Sequence, residues 1–209
     1  MVDDQALGVF SRVSAWTGPA AAHRVRNIIG KELKQGMKVL DIGTGPGTIP
    51  LNLKRLYPDI HFIGIDISFG MIRGAKDHAV KTGLPLPLCV GDGELLPFGT
   101  GKMDGVISLF AMHHMDHPDR FLQEIDRVLK PGGSLLIIDF HRDMSQWLFR
   151  VINTMWQTIF MFSAAKKGFS DSALSAWRKN EIQNILEKYH IERFKVRTNR
   201  LELWVTTGG

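Results

Sequence analysis

A single cysteine, Cys89, stands among 209 residues, which excludes an internal disulfide and any multi-cysteine metal site. It lies in the apolar run Leu86-Pro-Leu-Cys-Val90 and reads as a packing residue. Met1-Val-Asp-Asp4 offers no basic segment followed by an apolar run, so no signal peptide is expected and the cytoplasm is the expected compartment. Disorder is not indicated: 44% hydrophobic and 22% charged residues suit one domain with a good core. The net charge of +5 is not spread evenly, because residues 141–200 hold 11 Lys+Arg against 5 Asp+Glu. No arginine-rich run or aromatic-interleaved basic motif accompanies that excess, so a solvated basic surface is expected and nucleic acid is not.

What is present centres on Val39-Leu-Asp-Ile-Gly-Thr-Gly-Pro-Gly47. Met37 to Ile42 reads as a strand, and Ile49, Leu51, Leu53 and Leu56 begin a helix at about Thr48. A strand turning tightly into a helix aims unpaired N–H groups at whatever lies above the turn, and glycine lets that ligand approach the backbone. Gly43, Gly45 and Gly47 form G-x-G-x-G, whereas a dinucleotide fingerprint needs glycine where Thr48 stands. A pyrophosphate is therefore not the first choice.

Further acids follow at strand ends. Asp66 closes a second strand, Ile60 to Asp66, where it can accept from ribose hydroxyls or cap the next helix, a task Ser68 can also perform. Leu86 to Val90 is a third strand, delivering Gly91-Asp92-Gly93-Glu94; Asp92 can meet an exocyclic amine or close an Asx-turn. A fourth, Asp104 to Phe110, leads to Ala111-Met-His-His-Met-Asp-His117, then a helix that Lys130-Pro-Gly-Gly133 stops. Ser134 to Asp139 is the fifth. Strands alternating with helices predict an open parallel sheet with its ligands beyond the carboxyl ends of the strands.

Val39 to Gly47, Gly64-Ile-Asp66, Gly91-Asp92-Gly93, Phe110 with the following His-His, and Arg127-Val-Leu-Lys-Pro-Gly-Gly133 together resemble the class I S-adenosylmethionine-dependent methyltransferases. The Val-Leu-Lys-Pro-Gly-Gly segment is similar to the ubiquinone and menaquinone C-methyltransferase branch. The resemblance implies a Rossmann-like three-layer α/β sandwich with a seven-stranded, mostly parallel sheet whose last strand is antiparallel. It also implies that Gly43 to Gly47 hold the methionine end of the cofactor and that Asp41 orients it. Asp66 would then meet the ribose, Ile67 a face of adenine, Asp92 and Gly93 its edge, and the Phe110 backbone the amino-acid moiety. Thr44, Met71 and Glu94 complete the expected cofactor set, and no metal is expected. Where the quinone enzymes commonly carry Arg-Asn, this chain has His113-His114. His113 is the candidate proton acceptor, against a capping role; His114 and a solvent-facing His117 are expected to be less direct.

Residues 3–34 read as two helices broken at Thr17-Gly-Pro19, covering the open end of the site. From Trp147 to Phe162 a narrow polar stripe, Arg150, Asn153, Thr154, Gln157 and Thr158, marks a broadly apolar helix. It falls short of the roughly 18–20 residues that span a bilayer. Either it walls an apolar acceptor pocket or it buries its excess face in a homodimer. Peripheral membrane contact stays open. Phe10, Trp16, His114, Trp147, Trp156 and Phe160 are the pocket candidates. Another helix is expected from Ser170 or Asp171 to Tyr189, then two strands around Thr198-Asn-Arg200. The expected division is 1–34 cover, 36–140 cofactor core, 141–190 helical cap and 191–209 hairpin, all in one domain. The function that follows is methyl transfer to a small apolar or aromatic acceptor, a quinone-like carbon before a phenol, amine or thiol. A cofactor-binding regulatory protein is the alternative.

Overall fold

The computed structural model describes residues 4–161, 166 and 168–208. Seven strands form one sheet: β1 (Lys38–Ile42), β2 (His61–Asp66), β3 (Leu88–Val90), β4 (Met103–Leu109), β5 (Leu129–Phe140), β6 (Phe194–Thr198) and β7 (Glu202–Thr207). Their spatial order is β3-β2-β1-β4-β5-β7-β6. All pairs from β3 through β5 are parallel, and β7 runs antiparallel to both neighbours. The Rossmann-like sheet with an antiparallel last strand is thus the one the resemblance implied. Alternate residues of the central strands enter different layers. Leu40, Ile42 and Ile137 pack with Phe121, Leu122 and Ile182, while Val39, Ile107 and Ile138 pack with Val25, Leu51 and Leu53. Two covered faces explain why these strands read as nearly continuous apolar runs.

The helices are α1 (Asp4–Ile29), α2 (Thr48–Leu56), α3 (Phe69–Thr82), α4 (Pro118–Val128), α5 (Gln146–Ile159), α6 (Gly168–Ser175) and α7 (Lys179–Lys188), with a short 3-10 turn at Met112–His114. Several differ from expectation. The two N-terminal helices are a single one that continues through Pro19. An internal proline costs a helix roughly 3 kcal/mol, and packing on α2 offsets it: a Cβ on Gly18 would lie 2.1 Å from Thr48 Cγ2, so the backbones meet closely there. Leu33 is buried but lies past the helix end. The long helix expected after Ser170 is instead α6 and α7, separated where Arg142 Nε donates to the Ala176 carbonyl at 3.0 Å. The Arg178 N–H then donates to Glu181 at 2.8 Å, restarting the helix. β5 begins earlier than expected, and β6 begins at Phe194 rather than Ile191.

These elements divide into a main body and a satellite. Met144, Phe169 and Ala173 form a separate small core with Phe140, Phe149, Ile152 and Trp156, and none of the residues of α5 is fully buried. Phe162 and most of the Ala164–Gly168 linker lie outside the described residues. Among those described, no helix is long and apolar enough to cross a membrane.

Candidate active site

The parallel register brings the carboxyl ends of β1, β2 and β3 to one edge, with Asp41 opposite Gly64 and Asp66 opposite Val90. Between β1 and α2 the chain turns through Gly43, Gly45 and Gly47, whose φ values are 71°, 53° and 70°. Their side faces differ. A Cβ on Gly43 would lie 2.3 Å from that of Ala111, and one on Gly47 would lie 3.1 Å from Ala75 and Leu86, whereas one on Gly45 would meet nothing within 4 Å. The outer glycines are therefore needed for packing, and the middle one fronts an open cradle. His78 ties the turn to α3 through an Nδ1 contact with the Pro46 carbonyl at 3.2 Å.

Two carboxyl groups stand beside the cradle. Asp41 is 2% exposed and accepts from the Thr44 hydroxyl at 2.7 Å. Burial pushes its pKa up to about 7, against the lowering effect of the Thr44 bond and with a further rise from the Asp66 charge. Asp66 accepts from the Gly45 and Ser68 N–H groups, both at 2.9 Å, and burial raises its pKa as well. Ser68, not Asp66, caps α3, through the Met71 N–H at 3.3 Å. Each Asp66 oxygen keeps accepting capacity. Ile67 beside it is 72% exposed, an apolar face open to a planar group.

At the end of β3, exposed Asp92 accepts from the Glu94 N–H at 2.8 Å, an Asx-type turn, while Glu94 accepts from the His117 N–H at 2.8 Å. Gly93 is packed: a Cβ there would lie 3.0 Å from Ile42 Cγ2. Phe110 follows β4 with φ 54°, strained for a bulky residue, and its N–H donates to the Ile138 carbonyl at 2.7 Å. This bend carries Ala111 onto Gly43. Beyond it, His113 is buried and its Nδ1 lies 2.7 Å from Asp139 Oδ1, while its backbone N–H donates to Oδ2 at 2.9 Å.

An aromatic group covers this end of the sheet. Phe110 and Phe140 ring centroids lie 4.9 Å apart, Phe140 and Phe169 5.4 Å, Phe149 and Phe169 5.8 Å, and Trp156 and Phe160 4.6 Å. His114, with more than a third of its surface in solvent, sits 4.0 Å from the His113 ring; partial desolvation and then His113 hold its pKa below the usual histidine value. Of the pocket candidates, Trp156, Phe160 and His114 join this group. Trp16 and Trp147 stand in solvent at 85% and 72% exposure, and the Phe10 side chain lies outside the described residues. Asp139, Phe140, Phe149 and Phe169 had not been singled out, although an acid closing an apolar strand was a legible signal for Asp139 by analogy with Asp66.

Comparison with known proteins agrees with this geometry. Residues 40–137 match the family described as a methyltransferase domain. The chain is 42% identical over 127 residues to the ubiquinone/menaquinone biosynthesis C-methyltransferase UbiE of Bordetella avium, covering 59% of this chain and 50% of that protein. It thus spans about half the length of the curated relatives it matches. The plantazolicin methyltransferase BpumL, solved with S-adenosylhomocysteine (SAH), shares the fold at TM-score 0.73 and 14% identity over 99% of this chain and 91% of that one. A SAM-dependent methyltransferase from Aquifex aeolicus superposes at TM-score 0.62 with 22% identity, over 90% and 96% of the two chains. Residues 40–137 are thus similar to a methyltransferase domain, and the fold is one shared with solved S-adenosylmethionine-dependent methyltransferases. The matching stretch is similar to the UbiE enzymes, and in this chain the histidine pair His113-His114 follows β4.

Proposed function

We propose that this chain transfers a methyl group from S-adenosylmethionine to a small apolar or aromatic acceptor, a quinone-like ring carbon first and a phenol, amine or thiol next. The supporting observation is one sheet edge on which an open glycine cradle with two carboxyl groups adjoins an aromatic cluster. The cofactor fits the cradle because Gly45 leaves open space where any side chain would intrude, and because buried Asp41 can answer a cationic amino-acid end. When bound, S-adenosylmethionine supplies an electrophilic methyl on a sulfonium. The protein's own work is then placement and exclusion of water.

In this reading Gly43, Thr44, Gly45 and Gly47 line the methionine end, Asp41 orients it, and Asp66 accepts from the ribose. Ile67 and Met71 flank the base, Asp92, Gly93 and Glu94 lie at its edge, and the Phe110 backbone closes the pocket. His113 takes a proton from the acceptor. Residues 36–140 form the cofactor core, 1–34 cover it, 141–190 cap the acceptor side and 191–209 complete the sheet. Trp156, Phe160 and His114 belong to the acceptor wall. The outer face of α5, with Trp147, Met155 and Ile159 at 72%, 59% and 70% exposure, supports a homodimer through that helix.

Incubation with methyl-labelled S-adenosylmethionine and a panel of hydroquinones, phenols, amines and thiols tests the reading. Label in an aromatic acceptor is expected. Cofactor binding without transfer to any of them would favour a regulatory protein that keeps the pocket and has lost the chemistry.

A further inference from the structure

Beneath the aromatic roof lies a polar atom with nothing to bond. Of the three buried side-chain nitrogen or oxygen atoms without a partner among the described residues, one is His113 Nε2. The others, Asn153 Oδ1 and Trp177 Nε1, belong to the helical segment that follows β5. Leaving such an atom unsatisfied costs roughly 1–3 kcal/mol, so its retention calls for a reason.

The surroundings of His113 decide which of its nitrogens carries hydrogen. Asp139 is 1% exposed and already accepts two backbone N–H groups, from His113 at 2.9 Å and from Phe140 at 2.7 Å. A carboxylate so engaged is an acceptor on both oxygens, and the ring contact at 2.7 Å therefore has Nδ1 as the donor. In a neutral ring this leaves Nε2 with its lone pair bare. Both backbone and ring of His113 are held by one acid, so the imidazole can neither swing nor change tautomer without breaking bonds to Asp139. The nearest rings are His114 at 4.0 Å and Phe140 at 6.0 Å, and Phe140 in turn is covered by Phe169 of α6. Phe169 belongs to the small satellite core, not to the main one, so the cover over His113 can yield at less cost than the sheet.

We propose that Asp139 is a positioning residue that fixes His113 in the Nδ1–H tautomer, and that Nε2 is built to take a proton from an acceptor bearing a hydroxyl on, or conjugated to, the methylated atom. This rests on the methyl-transfer reading above and narrows its acceptor to an acidic aromatic such as a hydroquinone. The acceptor's O–H proton passes to Nε2. The electron pair so released, on oxygen or on the conjugated ring carbon, forms the bond to methyl, and the pair of the broken sulfur–methyl bond stays on sulfur. For carbon methylation, the ring-carbon proton is then lost to water and the proton on Nε2 returns to the oxygen, which restores the aromatic hydroxyl and the bare nitrogen.

Nitrogen NMR of histidine-labelled full-length chain reads the tautomer directly, without turnover. Wild type should show His113 with protonated Nδ1 and a bare Nε2; a protonated Nε2 would overturn the assignment. In Asp139→Asn the side-chain amide donates to the ring, and the tautomer should invert, as should methyl transfer fall by about 10²–10⁴-fold. With S-adenosylhomocysteine present, 1,4-dihydroxynaphthalene should shift the Nε2 resonance and its dimethyl ether should not. Equal shifts, or none from the hydroxyl compound, would overturn the acceptor class even if the variant fails to fold. Calorimetry with S-adenosylmethionine separates the two layers: a wild-type chain that does not bind it ends both readings, whereas a chain that binds it with the wrong His113 tautomer ends only this one.

Discussion

Adding one methyl group to either of two neighbouring glycines should have different consequences. In Gly43→Ala the new Cβ would lie 2.3 Å from the Ala111 Cβ, well over 1 Å inside an ordinary contact, at a φ of 71°. The left-handed backbone costs about 1–2 kcal/mol for alanine, and overpacking a fixed junction adds about 1–3 kcal/mol. The loss in unfolding free energy should therefore be about 2–5 kcal/mol. In Gly45→Ala nothing stands within 4 Å, so only the backbone cost of about 1–2 kcal/mol applies. That variant should fold, yet its methyl would occupy the cradle and weaken S-adenosylmethionine by at least about tenfold, or 1.4 kcal/mol. Urea unfolding followed by circular dichroism and titration calorimetry give the two numbers. If Gly45→Ala bound the cofactor as wild type does, the cradle would not be where the ligand lies. If Gly43→Ala were no less stable than Gly45→Ala, the packing argument would fail.

Other expectations follow from single groups. Asp41 has a native pKa of about 7 against an ordinary 3.8, so the native state holds its proton over a range where the unfolded chain has released it. Stability should fall as pH rises from about 4 to about 7 and then level off, and Asp41→Asn should flatten that part of the profile. Affinity for the cationic cofactor should rise through the same window, because only the ionised carboxylate attracts an ammonium group. Glu202, which receives Arg24 of α1 together with Trp204 Nε1 at 3.0 Å and Asn199 Nδ2 at 3.1 Å, fastens the long helix to β7. Glu202→Ala strands a half-buried guanidinium and should cost about 2–4 kcal/mol in thermal or urea unfolding; a change under about 0.5 kcal/mol would put it among ordinary surface substitutions. Met155→Glu on the outer face of α5 should convert a dimer to a monomer in sedimentation, and an unchanged mass would remove that helix from any self-association.

The parts of the chain that could be read in advance are those where local chemistry and tertiary structure agree. The β1–α2 turn was legible because glycine spacing, an apolar strand and an apolar helix all pointed to the same bend. Ser68 as the α3 cap was legible for the same reason, since a side-chain oxygen there has the N–H of Met71 within reach. Pro19 misled because its local preference was overruled by the close approach of Gly18 to Thr48, an interaction between residues 30 positions apart. The split between α6 and α7 likewise depends on Arg142 reaching the Ala176 carbonyl from the end of β5. Trp16 and Trp147 were drawn to the pocket by their apolar bulk, yet bulk does not say which way a side chain faces. Asp139 carried the opposite lesson. Its position at a strand end was visible, but its partnership with His113 arises only when β4 and β5 lie side by side, Leu109 opposite Ile138.

The most direct test of the account is titration calorimetry of the full chain with S-adenosylmethionine, with NAD as the control ligand. Saturable binding of the first, lost in Asp66→Ala while the variant stays folded, and no heat from the second is the predicted result. A folded wild-type chain that gives no heat with S-adenosylmethionine, or that binds NAD instead, would contradict it.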